Sequence, residues 1–165
     1  MLGNYSTNDF EKKEVTEKYI FDTNIFDDMV NEKLKILDIV KYKNNKKVEI
    51  YVTHIQIDEI NKISDEDKRA RFFISIFEIR PILISTSSCA FDVSRFDKSK
   101  FGNGIIFNKI KKVNINNVED ALIGETTIKE GIILVTNDKR LKNIVIELGG
   151  SALFFDEFKE RLKEK

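Results

Sequence analysis

The chain has 165 residues, of which 41% are hydrophobic and 34% charged, and its formal net charge is 0. That length suits one domain with a sizeable core, and a balanced charge gives the field of the whole molecule no argument for or against nucleic acid, leaving that to local clusters. The lone cysteine, Cys89, excludes an internal disulfide and a multi-thiolate zinc site, and no segment approaches the roughly 20 apolar residues of a membrane span. The first residues, MLGNYSTNDFEKKEV, mix acids with lysines and lack the apolar run of a signal peptide, so a cytoplasmic protein without membrane attachment is expected.

In chain order, KYIFD (18–22) opens the series. Tyr19, Ile20 and Phe21 favour a strand, and Asp22, Thr23 and Asn24 behind them are turn or helix-start chemistry. Asp27 and Asp28 read as first-turn acids of a short helix. From Asn31 to Val40, residues Leu34, Ile36, Leu37 and Val40 share a broad helical face. VEIYVT (48–53) reads as a second strand, with Ile57, Ile60 and Ile63 lining a helix after it. Asp65, Glu66 and Asp67 start a charged helix that runs to Ile79, with Ala70, Phe73, Ile74 and Phe77 at helical spacings. Pro81 marks the entry to a third strand, ILIST (82–86).

The stretch from Ser87 to Asn116 has no clear period and reads as a loop with one or two short helices. Asn117 is placed to cap a helix running to about Glu130 and ended by Gly131. Its apolar residues Val118, Ala121, Leu122 and Ile128 suit packing on a sheet. IILVT (132–136) is the fourth strand, and SALFF (151–155), after the Gly149–Gly150 break, adds a fifth. Apolar runs without clean alternation indicate a mainly parallel sheet covered on both faces. The expected fold is therefore α/β, a three-layer α/β/α sandwich around a central sheet of four or five strands. One domain is expected over residues 1–165, with its core at about 18–157.

Four acids fall where a parallel sheet would gather them at its carboxyl edge, the place where open α/β folds bind ligands. Asp22 ends the first strand, Glu59 lies six residues past Thr53, Asp120 opens the helix before the fourth strand, and Asp138 follows that strand. Crowded carboxylates repel, which favours a bound cation or raised pKa values. An all-oxygen set suits Mg²⁺ or Mn²⁺ and not zinc. Two of the acids also have a plainer reading: Asp22 as a cap or turn residue, and Asp120 as the complement of a helix dipole. Asp58 and Glu119 adjoin Glu59 and Asp120 but point about 100° away on a helix, so one of each pair faces the site. Thr23, Asn24, Thr136 and Asn137 can donate hydrogen bonds that orient the carboxylates, Asn24 and Thr136 foremost. His54, the one imidazole, has no carboxylate or nucleophile to pair with in sequence and reads as non-catalytic.

The phrases FDTNIF, VTHIQIDEI, VEDALIGETTIKEGIILVTND and the trailing KRL resemble those of the PIN-domain ribonuclease family. The family's D-T-N phrase at the end of its first strand matches Asp22, Thr23 and Asn24. Its helical Glu after a strand ending in Ser or Thr matches Glu59 after Thr53. Its D-A-L-I-A phrase resembles Asp120 to Gly124, with Gly124 in place of the last alanine, and its T-N-D phrase matches Thr136 to Asp138. The segment VSRFDKSKFGNG (93–104) has no counterpart in these phrases.

The resemblance implies a metal-dependent endoribonuclease with one or two Mg²⁺ or Mn²⁺ ions. Asp22, Asp120 and Asp138 would be ligands, with Glu59 ligating a second ion or orienting the attacking water. Products would carry a 5′-phosphate and a 3′-hydroxyl. Small members of the family resemble toxins that a cognate antitoxin protein blocks and that often dimerise, so RNA, an antitoxin and a second copy are the partners implied. A free-standing RNA-processing nuclease, a structure-specific DNA nuclease and a non-catalytic RNA- or protein-binding module are the alternatives. Three basic clusters are available to phosphates: Lys41, Lys43, Lys46 and Lys47; Lys109, Lys111 and Lys112; and Lys139, Arg140 and Lys142. Arg95, Lys98 and Lys100 are expected along the rim of the site, where they would add salt-dependent affinity for RNA.

Overall fold

Strands and helices alternate along the chain in the computed structural model, which describes residues 16–31, 36–113 and 117–164. They are β1 (Glu17–Phe21), α1 (Thr23–Val30), α2 (Ile36–Asn44), β2 (Val48–Val52), α3 (His54–Asn61), α4 (Glu66–Ile79), β3 (Ile82–Leu83), α5 (Ile105–Val113), α6 (Val118–Glu130), β4 (Ile133–Val135), α7 (Lys139–Glu147), β5 (Ser151–Leu153) and α8 (Phe155–Lys163). The strands form one five-stranded sheet of order β3-β2-β1-β4-β5. Every pairing in it is parallel.

Neighbouring side chains of β1 feed opposite faces, and two hydrophobic clusters result. Tyr19 and Phe21 join Ile25, Phe26 and Met29 of α1, Ile39 of α2, Phe72 of α4 and Phe158 of α8 on one face. Ile20 joins Ile110 of α5, Ala121 and Leu122 of α6 and Val145 of α7 on the other. The expected three-layer sandwich is the one observed. Phe158 meets the rings of Tyr19 and Phe21 edge-on at 4.9 and 5.2 Å. Burying one such ring contributes about 1.5–3 kcal/mol, so α8 is fastened to the central strand although no helix was read after SALFF. Phe155, Phe158 and Leu162 supply its apolar stripe.

Several boundaries differ from the sequence reading, each for a packing reason. Asn31 caps the end of α1 instead of opening a helix, and the part of the Asn31–Val40 helix at residues 32–35, Leu34 included, lies outside the described residues. α2 buries Ile39 while Leu37 is 73% exposed, so the inward face is set off from the one read. α4 likewise buries Phe72, Ser75 and Ile79, leaving Ile74 and Phe77 outside. The third strand is only two residues long and exposed, because β3 is a sheet edge. Its continuation survives as a single bridge between Thr86 and Ser99. Phe154 and Phe155 leave the fifth strand to start α8, where Glu157 Oε2 accepts from the Phe154 N–H at 2.6 Å.

Gly124 sits where α6 meets its neighbours. A Cβ there would stand 3.0 Å from Ile110, 3.2 Å from Val145 and 3.3 Å from Leu141. The missing methyl thus allows α5 and α7 to close on α6, which accounts for glycine where the resembling phrase has alanine. Of the basic clusters, Lys43 donates to the Ile79 carbonyl at 2.9 Å and Lys142 pairs with Glu157 at 2.5 Å, so these two lysines tie elements together. Among the described residues no helix is long and apolar enough to cross a membrane.

Candidate active site at the carboxyl edge of the sheet

The strand order reverses direction between β1 and β4, and the gap at their carboxyl ends is where such folds leave a crevice. Register places the two ends side by side: Phe21 pairs with Val135, so Asp22 and Thr136 are the next neighbours. The Asp22 N–H donates to the Val135 carbonyl at 2.9 Å. The Asp22 side chain is buried, 5% exposed, and accepts from the Thr23 N–H at 2.7 Å, Asn24 Nδ2 at 2.7 Å and Thr136 Oγ1 at 2.6 Å. Burial nevertheless lifts its pKa above the ordinary value; the donors oppose that rise, and the nearby Asp138 charge adds to it.

Thr136 is the hub of this edge. Its hydroxyl donates to Asp22 and accepts from the Asp138 N–H at 3.0 Å. Asp138 caps α7, taking the N–H groups of Arg140 at 2.6 Å and Leu141 at 3.0 Å, a placement that follows from carboxylate preference for a helix start. Asn24 extends the framework, because its Oδ1 accepts from the Asn137 N–H at 3.3 Å.

Glu59 arrives from α3. That helix starts with a capping box in which Thr53 Oγ1 accepts from the Ile55 N–H and Gln56 Oε1 accepts from the Thr53 N–H. Gln56 Nε2 donates to the Phe21 carbonyl at 3.1 Å, which sets α3 against the end of β1 and carries Glu59 toward Asp22. Thr23 Oγ1 donates to Glu59 Oε2. Burial raises the Glu59 pKa to about 6, with the Asp22 and Glu119 charges adding to the rise and the Thr23 bond opposing it.

Asp120 enters from α6, where Asn117 caps the helix by accepting from the Asp120 N–H at 3.3 Å and donates through Nδ2 to Asp120 Oδ2 at 2.6 Å. Its pKa is pushed up to about 8, first by burial and then by the charges of Asp22, Glu59, Asp138 and Glu119. Acids from β1, α3, α6 and the end of β4 thus share one electrostatic neighbourhood. They do not form a closed cage: among the described residues no three acid, imidazole or thiol groups stand arranged to hold a metal ion. Each carboxylate is turned to its own local donor, as repulsion between them favours. The set fits a hard divalent cation in donor type and in charge.

The neighbouring acids make ion pairs of their own. Asp58 forms a two-point pair with Arg95, one bond being 3.1 Å, and Glu119 pairs with Lys62 at 3.6 Å. These two acids, Glu59 and Arg95 line a cleft of about 240 Å³. Of the four polar residues, Thr23, Asn24 and Thr136 bond to the acids, whereas the Asn137 side chain donates to Asp28 at 2.5 Å. Asp28 is buried and is a site neighbour that sequence reading placed only at a helix start; Asn24, one turn earlier on α1, is the signal that could have found it. Asp27 pairs with Lys68 at 2.7 Å. His54 is buried, its pKa lowered by that burial, and its Nε2 accepts from the Arg95 N–H at 3.3 Å. It holds the loop and not the acids.

No family model matches the chain, and no curated protein matches it in sequence. Solved structures do match in shape. PAE2754 from Pyrobaculum aerophilum aligns over 92% of this chain and 99% of its own, with a TM-score of 0.57 at 14% identity. VapBC2 from Rickettsia felis, bound to a DNA fragment from its promoter, aligns over 82% of this chain and 97% of its own at 19% identity and a TM-score of 0.47. FitAcB from Neisseria gonorrhoeae aligns over 82% and 96% at 11% identity and a TM-score of 0.44. The likeness to PAE2754 is one of fold.

Proposed function

We propose that this chain is a metal-dependent endoribonuclease of PIN-domain type, acting at the carboxyl edge of its sheet. The observation that carries the proposal is the gathering of Asp22, Glu59, Asp120 and Asp138, from four separate segments, with the Asp120 carboxyl held up to about 8 by burial and by the other acids. Around them, Lys62 and Arg95 pair with the outer acids Glu119 and Asp58.

Asp22, Asp120 and Asp138 would hold Mg²⁺ or Mn²⁺, with Glu59 facing the same space. A bound ion would supply Lewis-acid chemistry, lowering the pKa of water and neutralising charge on the phosphodiester. The residues do the positioning. Thr136, Asn24 and the Thr23 N–H fix the Asp22 carboxylate, and Thr23 Oγ1 fixes Glu59, so both keep one orientation as charge develops. Glu59, with a pKa raised to about 6, is still mostly ionised at neutral pH and can accept a hydrogen bond from water, directing a lone pair at phosphorus. Attack by water leaves a 5′-phosphate and a 3′-hydroxyl.

A toxin restrained by an antitoxin, and a homodimer, belong to this same reading; an antitoxin reading frame beside the gene would separate it from a free-standing processing nuclease. The direct test is cleavage of single-stranded RNA by purified protein with Mn²⁺ or Mg²⁺ and with excess chelator. Cleavage that ends on chelation is the expected result. Equal cleavage in chelator, or none with either metal, overturns the proposal.

A further inference from the structure

Beside the acidic edge, the segment from Cys89 to Phe101 breaks the ordinary rule of burial. Phe91 is 97% exposed, and Phe96 and Phe101 are each 82% exposed, forgoing the gain from removing aromatic surface from water. The segment is nonetheless tied down. The Thr86 N–H donates to the Lys98 carbonyl at 3.0 Å, and the Lys100 N–H donates to the Thr86 carbonyl at 2.7 Å. Thr86 Oγ1 donates to Ser99 Oγ at 2.8 Å, and Arg95 is held by Asp58 and His54.

The three rings border a hollow of about 400 Å³, a size within the roughly 300–1,000 Å³ of small-ligand sites. Asp92 lines both this hollow and the cleft at Glu59 and Glu119, so the two are neighbours. Cations lie between the rings along the chain, Arg95 before Phe96 and both Lys98 and Lys100 before Phe101. Arg95, Lys98 and Lys100 have acidic partners in Asp58, Asp97 and Glu130, yet their side chains stay 54%, 41% and 57% exposed.

We propose that Phe91, Phe96 and Phe101 form a platform on which bases of single-stranded RNA stack while its backbone passes to the acidic edge. This rests on the nuclease reading and adds to it the residues that would hold the strand outside the acidic edge. Rings interleaved with cations suit a single strand, since every base has a face to stack and every link a phosphate. A duplex hides those faces. The exposed Arg95, Lys98 and Lys100 beside the rings supply the positive charge that a phosphate backbone calls for.

The test uses full-length protein in chelator, so that nothing is cleaved, with fluorescent oligouridylate and the same backbone lacking bases as probes. Wild type should prefer the base-bearing strand by at least about tenfold, as stacking on aromatic side chains gives. The combined variant Phe91→Ala, Phe96→Ala and Phe101→Ala should lose that preference, and the corresponding leucine variant, apolar but not aromatic, should lose most of it. Circular dichroism confirms that both variants fold. A preference unchanged in the variants, or absent from wild type, overturns the platform. So does a change in molar mass by light scattering with RNA binding intact, which would assign the rings to a second copy of the chain. Parallel cleavage assays with Mn²⁺ keep the two readings apart. A ring-dependent preference without cleavage keeps the platform and removes the nuclease, whereas cleavage without the preference does the reverse.

Discussion

The acidic edge and the Cys89–Phe101 segment share the walls of one cleft and are built by inverse means. At the edge, charged groups are drawn inside: Asp22, Asp28 and Asp120 are all buried. Regular elements supply the support there, through helix caps and strand register. In the segment, apolar rings are put outside, and the support comes from backbone hydrogen bonds and ion pairs. Both arrangements work against stability, one through repulsion and desolvation, the other through exposed apolar surface. Neither is needed to hold the two hydrophobic clusters together. Departures from local consistency concentrate at functional sites, and here two kinds of departure meet at one place.

The largest expected effect lies on the acidic side. Asp22→Asn and Asp120→Asn should each reduce RNA cleavage to the level seen in chelator while circular dichroism stays that of wild type. Full activity in either variant would mean that the edge is not the reactive centre. Next comes the supporting framework: Thr136→Val removes the hydroxyl that holds Asp22 and should lower activity by about 10–100-fold, the usual effect of losing a bond behind a metal ligand. Steady-state cleavage rates give the answer.

Stability against pH sharpens the contrast, because only the acidic side should respond. The Asp120 carboxyl titrates near 8 in the folded protein against an ordinary value of 3.8. A raised carboxyl contributes stability that is present in full below the unfolded pKa and is lost as pH rises through the folded one. Metal-free protein should therefore lose stability between about pH 4 and pH 8. Asp120→Asn should melt like wild type near the acid end of that window and higher than wild type at its alkaline end. Melting curves that stay parallel across the window would show that the acids do not burden one another. On the loop side the effect is smaller. Joint replacement of Arg95, Lys98 and Lys100 by glutamine should weaken RNA binding and reduce the slope of log affinity against log salt by up to about 0.7 per lost phosphate contact. An unchanged slope would leave these residues as surface cover.

How far the sequence shows these features follows from which contacts are local. β1, β2 and β4 are interior strands, so their apolar runs stand out, whereas β3 lies at the edge and its exposed Ile82 and Leu83 look no different in sequence. The Asn117 cap, the Gly131 terminator and the Asp65 cap are settled within a few residues and were readable. Gln56 closes a Thr-x-x-Gln box that is equally local but was not read, and its bond to the Phe21 carbonyl is not local at all. Asn137 and Asp28 are 109 residues apart and Arg95 and Asp58 are 37 apart. No period or motif announces such pairs, and the segment from Ser87 to Gly104 is held by non-local contacts such as Arg95 to Asp58 and Lys100 to Glu130.

The proposed mechanism requires the four acids to act as one cation site. Calorimetric titration of Mn²⁺ into the protein at neutral pH, in two buffers of different ionisation enthalpy, measures both binding and proton release. Saturable binding that releases protons is expected from wild type, because Asp120 starts largely protonated, with its pKa near 8. Binding should be lost in the double variant Asp22→Asn, Asp120→Asn. Equal Mn²⁺ affinity in wild type and variant, or no saturable binding by wild type, would contradict it.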